Sequence, residues 1–254
     1  MVKSFPNKLV LFLSLTFFMT WGLGWGAMAI FHIPLTSSIG NVMHIFSGLS
    51  PTIAAIMCLE DKSLSGLKIF LFSIKRNSWQ YLILFSVLLL LVFSLSSVGI
   101  SGRFSNSLIL ILLIQAILIG GGNEELGWRG TMQPLLEEKI AYWKSSLLTG
   151  FVWGFWHLPL WFIDGIIQQQ FPYYQFLIYA VIFSFVLATL YRKTQSILFC
   201  MILHGLNNIV LIRLLYYKSR FSIDSRLNDF MGNFSVLSQF RYRHAGIKIV
   251  LLSK

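Results

Sequence analysis

Gly120-Gly-Gly-Asn-Glu-Glu-Leu-Gly-Trp-Arg-Gly130 places two adjacent carboxylates and an arginine at the end of a long apolar run. From Ser107 to Gly122 the chain carries no charge, only Leu, Ile, Ala, Gly, Ser and the single Gln115. Glu124 and Glu125 are therefore expected at or just below the edge of a membrane span, where an ionised group costs a few kcal/mol on insertion scales. A carboxylate kept in such a place marks a functional site, and its partners are to be sought among polar residues of other apolar segments.

The composition agrees with that setting. The 254 residues are 56% hydrophobic and 11% charged, against roughly 25% charged for soluble domains. That predicts an all-α, polytopic transmembrane bundle of seven, with an eighth possible, spans of about 20 residues. A single bundle over 1–217 leaves a polar, basic tail at 218–254. The net charge of +11 lies in loops without an aromatic-basic face, so it argues for orientation in the bilayer and not for nucleic acid. Cys58 and Cys200 sit in separate apolar runs with no metal-ligand spacing and read as reduced core residues. The run Leu9 to Ile30 is too long for the apolar core of a signal peptide and lacks an Ala-x-Ala site, so it reads as a retained first helix.

Apolar windows fall at Leu9–Phe31, Ile39–Leu59, Trp79–Ile100, Ser107–Leu126, Ser145–Ile163, Tyr174–Tyr191 and Ser196–Tyr217. The segments on the N-terminal side hold Lys3, Lys8, Lys62, Lys68, Lys75, Arg76, Arg129, Lys139, Lys144, Arg192 and Lys193, the opposite loops only Arg103. The excess of cations predicts a cytoplasmic N-terminus in a cell membrane, the bacterial plasma membrane by the look of the chain. Seven spans would put Lys218, Arg220 and Arg226 outside, a conflict that an eighth segment, an incomplete span or dominance of the earlier helices would each resolve. Ser63 to Ser78 interleaves Lys68, Lys75 and Arg76 with apolar residues and suits either a surface-lying amphipathic helix or an ordinary positive-inside loop.

Three late segments carry the chemistry. Glu125 and Arg129, four apart, share a helical face, while Glu124 points about 100° away. His157 follows Trp153 by four, with Pro159 just beyond it to kink the helix. His204 and Asn208 are also four apart, Asn207 beside them, and in a span such groups must face protein or water. His32, His44 and His244 lack such companions and read as structural or solvated.

The sequence Glu-Glu-x-x-x-Arg, then aromatic-x-x-x-His, then His-x-x-x-Asn, one motif per late helix, resembles the CAAX protease and bacteriocin-processing family of intramembrane proteases. The resemblance covers about 107–210. It implies an intramembrane endopeptidase in which Glu124 activates water, Glu125 and Arg129 support it, His157 is the second catalytic group, and His204 with Asn208 orients the water or stabilises the oxyanion. It also implies a membrane-associated peptide or protein substrate, and for some relatives a role in bacteriocin self-immunity. One departure is Trp153, where the family usually has Phe. Independently of the name, hydrolysis needs a base, an acid and an oxyanion donor, which Glu124, His157 and Asn208 can supply. Glu124, His157 and His204 could also form a three-ligand zinc site, although no His-Glu-x-x-His is present; a metal-free glutamate mechanism fits the same side chains. A proton- or ion-coupled transporter would use similar residues, but the chain lacks the internal repeat that would give it two related halves. A non-catalytic immunity protein is the remaining alternative.

Overall fold

The structure, a computed structural model, describes residues 5–95, 106–170 and 172–220. Every regular element among them is helical. Helix α1 (Phe5–Phe17) continues through a π-helical stretch, Phe18–Leu23, into α2 (Trp25–Ile30). Helix α3 (Ser38–Cys58) starts where the Ser37 hydroxyl accepts the Gly40 N–H at 3.0 Å, an N-cap that satisfies one of the free first-turn amides. Helix α4 (Leu64–Phe72) is capped the same way by Ser63. Helices α5 (Trp79–Leu95) and α6 (Asn106–Leu118) follow, then a 3₁₀ turn at Gly122–Glu124, α7 (Glu125–Gly127), a π-helical turn at Trp128–Met132 and α8 (Gln133–Glu137). The last three helices are α9 (Tyr142–Trp156), α10 (Tyr173–Thr194) and α11 (Ile197–Arg220).

Four helical segments are long and apolar enough to cross a membrane, Asn7–Ile30, Ser38–Cys58, Leu108–Glu137 and Tyr173–Thr194, with shorter apolar helices at Trp79–Ser94 and Ile197–Leu211. Together with α9 and the 3₁₀ turn Leu158–Phe162 that extends it, these are seven helical segments of the bundle among the described residues. Exposed apolar side chains such as Val10, Ile83, Leu91, Ile178 and Ile182 cover the helices' outer faces, as the surface of a multi-pass membrane protein facing lipid tails requires. Helix α9 packs along α10, α6 along α11 and α1 along α3. The first contact is close because a side chain at Gly150 or Gly154 would run into Ser184 and Val181 or Leu177 of α10; small residues replace hydrophobic driving force where helices pair in lipid.

Three expectations change. The fourth window does not end at Leu126 but runs on to Glu137, so the acid pair lies inside the pass and not at its edge. The fifth window does not form one kinked helix to Ile163: α9 stops at Trp156 and Leu158–Phe162 winds as a 3₁₀ turn, since Pro159 has no N–H to continue the α-helical ladder. Arg129, counted among the loop cations, is fully buried in the bundle. The segment 63–78 contains α4, whose Lys68 and Ile69 are exposed while Phe70 and Leu71 pack on the core. Cys58 and Cys200 form no disulfide among the described residues, and Cys200 is buried. The end of the third window, Arg103, His244 and the tail from 221 lie outside the described residues.

The helix order fixes which ends are neighbours. At one end the Lys75 N–H donates to Thr194 O at 2.8 Å, joining the turn before α5 to the turn after α10, and Lys8 pairs with Glu60. At the other end the Leu35 N–H donates to Asp164 O at 3.2 Å. The site lies between them.

Candidate active site

A break in the fourth pass delivers the acid pair. After α6 the chain turns at Gly121, whose φ is +113° and whose Cα is pressed so closely onto α11 that a Cβ there would collide with the Asn208 amide nitrogen and the His204 ring. Only glycine tolerates that backbone without strain. Asn123 then ties the turn to α3: its Nδ2 donates to Gly48 O at 2.8 Å, and its own carbonyl accepts the Thr52 hydroxyl at 2.7 Å. Asn208 Nδ2 donates to Gly120 O at 2.8 Å from the other side. The glutamates thus start a new helix from a turn held on two flanks.

Their two carboxylates are treated differently. Glu125 is fully buried, with Arg129 Nη1 3.1 Å from Oε2 and His204 Nδ1 2.7 Å from Oε1. Arg129 Nη2 donates onward to Ser184 O on α10 at 3.3 Å, and its guanidinium lies 5.7 Å over the Trp153 ring. Buried charges persist when paired and hydrogen-bonded in this way. Glu124, 5% exposed, has no cation bonded to it; its Oε2 accepts the Trp153 indole N–H at 2.7 Å.

Trp153 is the hub. Its ring meets His157 edge-on at 5.6 Å and His204 at 5.3 Å, so one side chain touches both histidines while donating to Glu124. His157, at the C-terminal end of α9, faces Trp153 O through Nδ1 at 2.9 Å. A carbonyl can only accept, so Nδ1 carries the hydrogen and Nε2 is left as an acceptor. Trp156, Phe176 and Trp25 wall the imidazole at 4.5, 5.0 and 5.6 Å.

The structure thus gathers Glu124, Glu125, Arg129, His157 and His204 in one buried cluster, with Asn208 at its edge holding the glycine turn. The sequence marks Trp153 only as a departure from the family's Phe, and its hydrogen bond to Glu124 is a contact that spacing does not disclose. His44 was read as lacking partners in its own helix. Its Nδ1 accepts the Trp25 indole N–H at 2.9 Å, a partner from another pass that spacing within one helix does not disclose. Among the described residues no three His, Cys, Asp or Glu side chains gather as a metal-ligand set. His204 engages Nδ1 with Glu125 and His157 engages Nδ1 with a carbonyl, which leaves the Nε2 atom of each ring for another partner.

Residues 105–210 match the family described as type II CAAX prenyl endopeptidase Rce1-like. CAAX prenyl protease 2 of Methanococcus maripaludis is 37% identical over 90 residues, which are 35% of this chain and 33% of that protein. Lysostaphin resistance protein A of Staphylococcus haemolyticus is 27% identical over 177 residues, 63% of this chain and 46% of that one. The matched regions span a third to under half of those relatives' lengths. All the polar side chains of the cluster fall inside 105–210, and over this segment the chain is similar to the Rce1-like type II CAAX prenyl endopeptidases.

Proposed function

We propose that the protein is an intramembrane endopeptidase that hydrolyses a peptide bond of a membrane-associated peptide or protein with a water activated by Glu124. The observation that carries this reading is the unequal treatment of the two acids. Glu125 is neutralised by Arg129 and bonded to His204, whereas Glu124 is steadied through one oxygen by a neutral indole donor and keeps its second oxygen for a water. Glu124 takes a proton from that water as its oxygen bonds to the peptide carbonyl carbon. His157 Nε2, left as an acceptor, holds the water or the leaving amine. The proton then passes to the amine nitrogen as the C–N bond breaks. His204, oriented by Glu125, supports the developing oxyanion, with Asn208 fixing the turn beneath it. Should a zinc ion bind, Glu124 and the Nε2 atoms of His157 and His204 are the donors that would reach it after rearrangement. A lipid-facing bundle suits a substrate that is itself membrane-bound, such as a peptide or bacteriocin precursor; the resistance named in the staphylococcal relative suggests a defensive role as a further reading of the same activity.

Membranes carrying Glu124→Gln or His157→Ala are expected to cleave a peptide precursor at least about 100-fold more slowly than wild type, at equal protein level. Full cleavage by both variants would refute the assignment. Inhibition by a chelator, reversed by zinc, would establish a metal-assisted reaction, and indifference a glutamate-activated water. If Glu124→Gln abolished cleavage but kept protection against a bacteriocin, immunity would be separate from catalysis.

A further inference from the structure

A second polar site lies far from the acid pair, at the end of the bundle where Lys75 N–H meets Thr194 O. There the turn between α4 and α5, with the start of α5, and the last turn of α10 border a cavity of about 340 Å³. Four cations line it, Lys75, Arg76, Arg192 and Lys193, together with Tyr81, and no carboxylate does. None of the four forms an ion pair with Asp or Glu among the described residues. Two are held by aromatic rings instead: the Arg192 guanidinium lies 4.6 Å over Tyr142 and the Lys193 ammonium 6.0 Å over Tyr81.

Orientation of the chain requires cations somewhere on this face, in any loop. It does not require four of them drawn from two distant turns around one cavity, where each repels the others within a screening length. A bound anion offsets that repulsion. The depth of the cavity specifies the anion further. Trp79, largely exposed, begins α5 beside it and packs on Phe199 at 4.5 Å, and Tyr81 follows two residues on; Trp and Tyr settle at headgroup level. Arginine presents a fork that matches phosphate oxygens, and lysine adds a mobile point charge.

We infer that the cavity between Lys75, Arg76, Arg192 and Lys193 binds a phosphate-bearing group, either the headgroup of an anionic phospholipid in the adjoining leaflet or a soluble phosphate. The inference is independent of the chemistry assigned to Glu124. It places a ligand at the junction of α5, α10 and α11, two of which carry or contact the site.

The full-length protein in detergent is titrated with phosphatidylglycerol, with phosphatidylcholine as the neutral control, and bound lipid is read by native mass spectrometry; inorganic pyrophosphate is titrated separately by calorimetry. Saturable binding of phosphatidylglycerol over phosphatidylcholine identifies a lipid, and saturable binding of pyrophosphate without lipid retention identifies a soluble ligand; either supports the site. The Arg76→Gln/Lys193→Gln variant is expected to lose roughly 25-fold in affinity, about five-fold per cation, while Lys62→Gln/Lys68→Gln, on the same face but outside the cavity, stays within two-fold. Arg76→Gln alone, in an exposed turn, is read for its five-fold loss if the double variant fails to fold. Binding of neither probe, or equal losses in the cavity variant and the Lys62/Lys68 variant, would overturn the proposal, the second outcome showing a diffuse positive face in place of a site.

Discussion

Glu125 and Arg129 depend on each other in a way that surface ion pairs do not. Both are fully buried, so removing one charge strands the other in the bundle, which costs on the order of 3–5 kcal/mol. Arg129→Ala should therefore lower the melting temperature and the amount of folded protein before any kinetic question arises; unchanged expression and activity would show that the pair is dispensable. Trp153 can be separated from folding more cleanly. Phenylalanine keeps the ring edges against His157 and His204 and removes only the N–H given to Glu124. Hydrogen bonds to charged groups contribute about 1.5–3 kcal/mol, so Trp153→Phe should reduce kcat roughly 10- to 100-fold with KM and melting temperature nearly unchanged. An equal rise in KM would place Trp153 in substrate binding instead. The Glu125–Arg129 contact was legible from their spacing, since four residues on one helix fixes neighbourhood. The Trp153–Glu124 and Trp25–His44 contacts join different passes, and no local period encodes which faces of two passes meet.

At the level of elements, the site is made by helices that stop or change pitch. Gly121 ends the first half of the fourth pass, and the next turn starts the acid-bearing helix. Gly121→Ala forces a side chain into a positive-φ backbone, at about 1–3 kcal/mol, and into His204 and Asn208 besides. It should impair cleavage much more than the matching change at Gly48, where an added Cβ meets nothing within 4 Å. Equal effects at both glycines, measured with protein level as control, would remove the special role of this turn. The apolar windows made the helices legible because each is a composition signal. Their internal breaks were not: the glycine run announced some irregularity, yet only the packing of Gly121 on α11 decides that the pass resumes as far as Glu137. Pro159 announced a disturbance near His157, and its missing donor produces a helix end with a 3₁₀ extension in place of a kink.

At the scale of the whole molecule, the helix order puts the ends of α3, α8 and α10 on one side and the loops carrying Leu35 and Asp164 on the other. The two sides differ sharply in charge: Lys62, Lys68, Lys75, Arg76, Lys139, Arg192 and Lys193 all gather at the first, even with Arg129 withdrawn into the interior. We predict that this asymmetry sets the direction in the bilayer, because cationic loops resist translocation. Single cysteines introduced at Ser73 and at Asp164, in a Cys58→Ser/Cys200→Ser background, test it directly. A membrane-impermeant maleimide added to intact cells should label Asp164→Cys and leave Ser73→Cys unlabelled until the membrane is opened. The reverse pattern would invert the orientation, and labelling of both from outside would mean that one of the shorter helices, α5 or α9, does not cross, which would also separate Glu124 from His157 and remove the basis for catalysis at that cluster.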